Sequence, residues 1–342
     1  MGHKIKKNYR FTGSIPLIFF FIAVLTSLIP CGNLPSSAAR LPGWGHNKHN
    51  KKDKALAILI KKAYGQREKL RKNLAANVNG YEFPPLGTLT YEITYMDWIK
   101  AGTAVLSAKP GYFHDKRVII LKAKANSASW MNFLYFVNDY TTSYFSKAHL
   151  YPYFLSMVRH EGWRNDYMEE WLNIGGHNSL NDSLIPADNV QTVFAALNNK
   201  KFTAALYKFK TYSSVALMKD KINSPFKAFV SYKDSQDSLS SLYYLRMFDL
   251  KEGRDYYIPV FNHRKRYIVL IKAMGYYIVN TPAGKFNCIK LKVYLNFNGV
   301  FVHKGALDIY VTRGDGHIPV YLVARVSIGF ASAILIKKNL TP

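Results

Sequence analysis

The sequence predicts an all-β protein: a large antiparallel sheet, barrel-like or highly curved, that runs as a meander and takes one helix as a plug. Three observations predict it. From about Tyr81 to Gln236, and again from Tyr256 to Ile336, short runs alternate apolar and polar residues at the period of a half-buried strand. The 25 Tyr and 21 Phe suit a pleated surface with one face on a core. Between the two halves, residues 236–248 (QDSLSSLYYLRMF) carry the one clear helix signal. Asp237 is its expected N-cap, and Leu239, Leu242, Tyr243 and Arg246 recur at three- and four-residue spacing. One face is therefore apolar and needs a sheet to cover it.

Ahead of the sheet, two segments are set apart by composition. The first ten residues hold Lys4, Lys6, Lys7 and Arg10 with no acid, and an uncharged apolar run, IPLIFFFIAVLTSLIP, follows at 15–30. That is the pattern of an export signal, taken as residues 1–39. Three fates are open, in this order: cleavage after Ala39, lipidation at Cys31, or retention as an anchor. The tetrapeptide before and including Cys31 resembles a bacterial lipobox, but Pro30 stands where a small residue belongs. Residues 40–80 form a basic linker and an amphipathic helix, with eleven Lys or Arg between 40 and 72 against Asp53 and Glu68. Leu56, Ile60, Ala63, Leu70 and Leu74 fall near one helical face, which suits either a membrane surface or a solvated stalk. Residues 81–338 are expected to make a single β-barrel-like domain.

The net charge of +26 favours anionic partners. With an export signal, an anionic membrane surface or an envelope glycan is expected, with a bound lipid as a further candidate and no nucleic acid. Two cysteines, Cys31 and Cys288, exclude a disulfide framework.

Along the body, Thr88 to Met96 reads as a strand with Ala101 to Lys109 as its partner, followed by Val118 to Ala125, a short aromatic element at Trp130 to Tyr135, and Asn138 to Phe145. Hairpins are expected around Glu161-Gly162 and around Asn198-Asn199, the second with strands 193–197 and 202–207. Residues 175–188 read as a surface excursion and 211–235 as irregular. After the helix come strands 256–261, 266–272, 276–281 and 286–297, with turns at Asn262-His263 and 282–284. Asn298-Gly299 is the strongest hairpin signal, and strands 300–304, 306–312, 318–326 and 330–336 follow. In the strand after Phe286, alternation puts Ile289 and Leu291 on a core face and Cys288 in a wet row with Lys290 and Lys292.

No nucleophile elbow, P-loop, dinucleotide fingerprint, zinc helix or CxxC pair is present, so no enzyme, cofactor or metal site is expected. His46 and His49 have metal-compatible spacing but lie in a basic linker. Asp139, Glu161, Asp166, Glu169 and Glu170 are the carboxylates available for glycoside hydrolysis, and sequence does not say whether any two meet. Arg313-Gly314-Asp315 spells an adhesion tripeptide in what is also a good turn. Arg246 is a cation on an apolar face, with Asp139 as a candidate partner.

Residues 87–104, the QDSLSSLYYLR helix, TPAGKFNCIKLKV at 281–293, and FVHKGALDIYVT followed by HIPV together resemble the DUF3108 family, exported bacterial proteins of unknown function with a YmcC-like fold. The resemblance spans about 81–336 and implies a large antiparallel barrel-like fold. It brings no catalytic residues. The basic arm, the 175–188 excursion and Arg313-Gly314-Asp315-Gly316 depart from the family pattern.

The expectation is an exported cell-envelope protein, non-catalytic, periplasmic or membrane-associated. It would bind a lipid, a lipid-linked glycan or a polysaccharide inside or on the barrel. Tyr243, Tyr244 and Arg246 are the candidate ligand residues, bordering a pocket that the plug leaves unfilled. The alternatives are an integral outer-membrane barrel and an envelope glycan hydrolase.

Overall fold

The computed structural model describes residues 83–174, 187–207, 213–297, 300–314, 316–325 and 329–341. The leader with Cys31 and Ala39, the arm at 40–80, residues 175–186 of the excursion, and the Asn298-Gly299 turn lie outside them. The first eight strands are β1 (Leu86–Tyr95), β2 (Ile99–Phe113), β3 (Lys116–Ser127), β4 (Asn138–Ser146), β5 (Tyr151–Glu161), β6 (Arg164–Ile174), β7 (Ser213–Lys219) and β8 (Lys227–Tyr232). The other six are β9 (Asp255–Asn262), β10 (Lys265–Thr281), β11 (Gly284–Phe297), β12 (Val300–Thr312), β13 (Pro319–Arg325) and β14 (Phe330–Thr341). Helices α1 (Ala187–Leu197) and α2 (Lys200–Tyr207) lie between β6 and β7, and α3 (Ser240–Leu245) lies between β8 and β9.

All fourteen strands form one antiparallel sheet, as two meanders, β1 to β8 and β9 to β14, joined where β14 pairs with β1. The free edges, β8 and β9, meet at a seam closed by Gln236. Its backbone N–H donates to Pro259 O at 2.8 Å and its carbonyl accepts from Phe261 at 2.9 Å. Beside it the Phe229 and Phe261 rings approach to 6.2 Å. The sheet is thus a nearly closed barrel.

Alternation sets what lies inside. Leu89, Tyr91 and Ile93 of β1, Leu121, Ala123 and Ala125 of β3, Ile309 and Val311 of β12, and Leu322 and Ala324 of β13 belong to one buried cluster. Much of this wall is alanine, including Ala104, Ala108, Ala331 and Ala333, so it leaves volume that side chains of the wall do not fill. Leu239, Leu242, Tyr243, Tyr244 and Leu245 fill it. The plug is as expected, but its regular helix is only six residues long and every residue of it except the half-buried Ser241 is buried. A helix inside a barrel has no solvent face, so one-sided amphipathicity is not what it shows. Asp237 caps it: its Oδ1 accepts the N–H of Leu239 at 2.8 Å and of Ser240 at 2.6 Å, and its own N–H donates to Ser240 Oγ.

The structure corrects several expectations. Residues 193–207 are not a hairpin but parts of α1 and α2, because Asn199 caps a helix instead of turning a strand. Its Oδ1 accepts from the N–H groups of Lys201 and Phe202 at 3.0 and 3.1 Å. The stretch read as irregular, 211–235, contains β7 and β8. Their alternation was masked because Val215 and Leu217 pack outward under Val193 of α1 while Ala216 and Met218 are buried on the other face. Residues 300–312 form one strand instead of two. The β9–β10 turn falls one residue later than expected, at His263-Arg264, both with positive φ. Cys288 is fully buried, not in a wet row.

Candidate functional site

Tyr243, Tyr244 and Arg246 lie at the plugged end, each no more than 4% exposed. Arg246 stacks on Tyr243, with the guanidinium 5.5 Å from the ring centre. Its Nε donates to Gly316 O at 2.8 Å and an Nη to Pro85 O at 3.1 Å. The guanidinium therefore ties the plug to the entry of β1 and to the β12–β13 turn. Asp139 is not its partner. Gly316 makes the tie possible: its φ is +71°, and a Cβ there would come within 2.6 Å of Pro85. Burial lowers the Arg246 pKa and raises that of Tyr243 to about 12.

Two of the five singled-out carboxylates meet. Asp139 is 2% exposed and hydrogen-bonds Glu161, and burial, followed by the Glu161 charge, pushes its pKa well up. The two lie together under the loop at 128–137. Side chains in hydrogen-bond contact are closer than the roughly 5–9 Å that flanks a glycosidic bond. Asp166 pairs with Arg159 at 2.8 Å and Glu169 with Lys219 at 3.2 Å. Glu170, fully buried, accepts the backbone N–H of His263 at 2.9 Å and so holds the β9–β10 turn across the seam. Arg313 of the adhesion-like tripeptide lies over the Tyr276 ring at 4.2 Å, and Asp315 lies outside the described residues. Burial raises the Cys288 pKa to about 11, which leaves the thiol protonated and unreactive.

A cleft of about 450 Å³ opens on the outer wall, where β12 and β13 run beside the β1–β2 turn. It is lined by Asp97, Asp308, Tyr310, Tyr321, Val323, Arg325, Gly329 and Phe330. Tyr310 and Tyr321 are a cross-strand pair that points outward because Ile309 and Leu322 point in. Their rings are 5.7 Å apart, and Tyr277 meets Tyr310 edge-on at 5.5 Å. Asp97 fixes one wall, accepting from the Tyr321 hydroxyl at 2.9 Å and from Ser332 Oγ. Lys290 Nζ lies 2.8 Å from Asp308 Oδ2 and 5.4 Å from the centre of the Tyr310 ring. Burial works against the Lys290 charge, but Asp308 and Tyr310 outweigh it and raise the pKa. Asp308 Oδ1 is buried with no hydrogen-bond partner. The cleft thus offers aromatic faces, an unused acceptor and the exposed Arg325.

Sequence reasoning did not pick out these residues. Asp308 and Tyr310, and Tyr321, Val323 and Arg325, do stand at alternate positions of two expected strands. That these rows face outward side by side follows only from the register.

No curated protein matches the sequence. Among solved structures, the chain is similar to a β-barrel-like protein of domain of unknown function DUF1849 from Brucella abortus, at 8% identity and a TM-score of 0.46. The alignment covers 76% of this chain and 99% of that one. It is also similar to a protein with YmcC-like fold from Bacteroides fragilis, at 10% identity and a TM-score of 0.30, covering 75% and 98%. Residues 191–335, from within α1 to midway along β14, match the model of the family described as protein of unknown function, DUF3108.

Proposed function

We propose that the protein is an exported, non-catalytic component of the bacterial cell envelope, periplasmic or membrane-associated, and that it binds a glycan in the outer cleft between β12 and β13. Export rests on the basic terminus and the apolar run at 15–30. The observation that carries the binding reading is the Tyr310–Tyr321 pair, held by Asp97 and set beside an unpartnered carboxylate oxygen and Arg325. Aromatic faces stack on the apolar faces of sugar rings, while fixed acceptors and donors take up hydroxyl groups. Arg325 suits a glycan that carries an acidic group, while Lys290 stays paired with Asp308.

What supports the outer wall over the lumen is occupancy: α3 packs against the inner wall, and the Arg246 guanidinium is committed to two backbone carbonyls. The integral-barrel alternative needs a lipid-facing apolar band. Thr88, Thr90, Glu92, Lys122, Lys124, Lys290 and Lys292 interrupt the outer wall instead, and the apolar rows face inward.

Titration calorimetry of the full chain against soluble peptidoglycan fragments and acidic polysaccharide tests the reading. Binding of one of these, weakened about tenfold or more by Tyr310→Ala with an unchanged melting temperature, is expected. Glycan binding that survives both Tyr310→Ala and Arg325→Ala, or no binding at all, overturns it.

A further inference from the structure

The barrel end opposite the α3 plug carries a second surface, which borders the glycan cleft at the turn that holds Asp97. There the turn at 96–98, the loop at 128–137 and the turn at 162–163 come together. Trp130 Nε1 donates to Lys100 O at 2.9 Å, Gly162 N to Phe136 O at 2.7 Å, and Val137 bridges Glu161. Side chains that hydrophobic burial should draw inward stand out from this rim: Trp98 at 75% exposure, Trp130 at 47%, Phe133 at 81%, Leu134 at 62% and Trp163 at 88%. The remaining described tryptophan, Trp171, is buried. The apolar residues are thus concentrated, and the loop that carries most of them, 128–137, holds no charge at all. Its inward residues, Met131 and Val137, anchor it in the core, so the outward ones are presented on a fixed support.

We propose that this rim seats on the surface of an anionic phospholipid bilayer. Tips carried on separate hairpins at one end of a barrel can all touch a flat surface at once. Tryptophan is the side chain that partitions best to the boundary between headgroups and acyl chains. The rest of the same end supplies charge complementarity. In residues 219–227 and 262–266, Lys219 pairs with Glu169 and Arg264 with Asp220, while Lys221, Lys227 and Lys265 stand exposed. An apolar sector beside a basic sector matches acyl chains and acidic headgroups respectively, and the net charge of +26 has the right sign for approach. β1 begins at the opposite end, where Pro85 meets Arg246.

The test places an environment-sensitive fluorophore on the full chain, in a Cys31→Ser background, either at Trp163→Cys on the rim or at Asp115→Cys in the β2–β3 turn of the opposite end. Vesicles of phosphatidylethanolamine with phosphatidylglycerol are added, with or without bromine on the acyl chains. The rim label should shift to the blue and be quenched by the brominated chains, while the label at 115 stays in water. Trp98→Ser with Trp163→Ser should lower vesicle partitioning at least tenfold with the arm intact. The proposal is overturned if the rim label remains aqueous on bound protein, if the label at 115 inserts, or if the double variant binds like the parent. It is also overturned if the rim label is buried without vesicles in a concentration-dependent oligomer, which would make the occupant a second copy of the chain.

Discussion

The two ends of the barrel are built from the same kind of hairpin and end up opposite in character. At one end, the segment between β8 and β9 returns into the lumen, so Leu239, Leu242, Tyr243, Tyr244 and Arg246 are all buried. At the other end the aromatic residues of the β1–β2, β3–β4 and β5–β6 connections face outward, with no segment of the described residues folded over them. The first end has a connection, between β8 and β9, long enough to fold back into the lumen. Burial at the first end makes it the place where stability resides, and exposure at the second frees its side chains for contact with something else.

The largest effect that would sharpen this contrast comes from placing the same charge at each end. Leu242→Asp buries a carboxylate among Leu and Tyr side chains and is expected to cost about 3–5 kcal/mol in urea unfolding. Leu134→Asp on the rim should stay within about 0.5 kcal/mol. Equal losses would mean that the rim is packed in the working protein, and no loss at Leu242 would mean that the plug is not a structural element.

Next in size is the tie between plug and wall. Arg246→Met keeps the bulk but leaves the carbonyls of Pro85 and Gly316 without their charged donor, at an expected cost of about 2–3 kcal/mol. Arg246→Lys should recover only part of it, since one ammonium does not reproduce a fork aimed at two carbonyls. Full recovery by lysine in the same unfolding experiment would show that charge, not geometry, holds the end shut.

The smallest effect is a dependence on pH. Burial raises the pKa of Asp237 from 3.8 to about 6, so the folded state binds its proton more tightly than the unfolded chain does. The stability this contributes is full below about pH 4 and is lost as pH rises through about 6. Asp139, at the rim end, is shifted in the same direction by burial and Glu161, so its contribution also falls with rising pH, and Asp139→Asn should remove it. Asp237→Asn, which can still cap the helix, should flatten the stability profile between pH 4 and 6. A profile that rises over that interval in the parent and not in the variant would show Asp237 to be ionised and paired in the fold.

Much of this arrangement was legible beforehand. Period-two alternation located most strands, because a sheet with one wet face writes its burial directly into the order of residues. It failed at β7 and β8, where α1 covers the outer face and both rows are apolar. It failed again at 193–207, where an Asn that suits a hairpin turn serves equally well as a helix cap. Asp237 was recognisable as a cap since capping is local. The partners of Arg246 were not, because Pro85 and Gly316 are 161 and 70 residues away in sequence.

The order of apolar and polar residues therefore decided the class of fold, most of the strands and the identity of the plug, because each depends on neighbours a few positions apart. Register and closure decided the rest. They set Tyr310 beside Tyr321 and Asp97, they brought Asp139 against Glu161, and they left Trp98, Phe133 and Trp163 together on one rim. Such juxtapositions depend on contacts between segments far apart in the chain, and a linear pattern carries no information about which of its rows will meet.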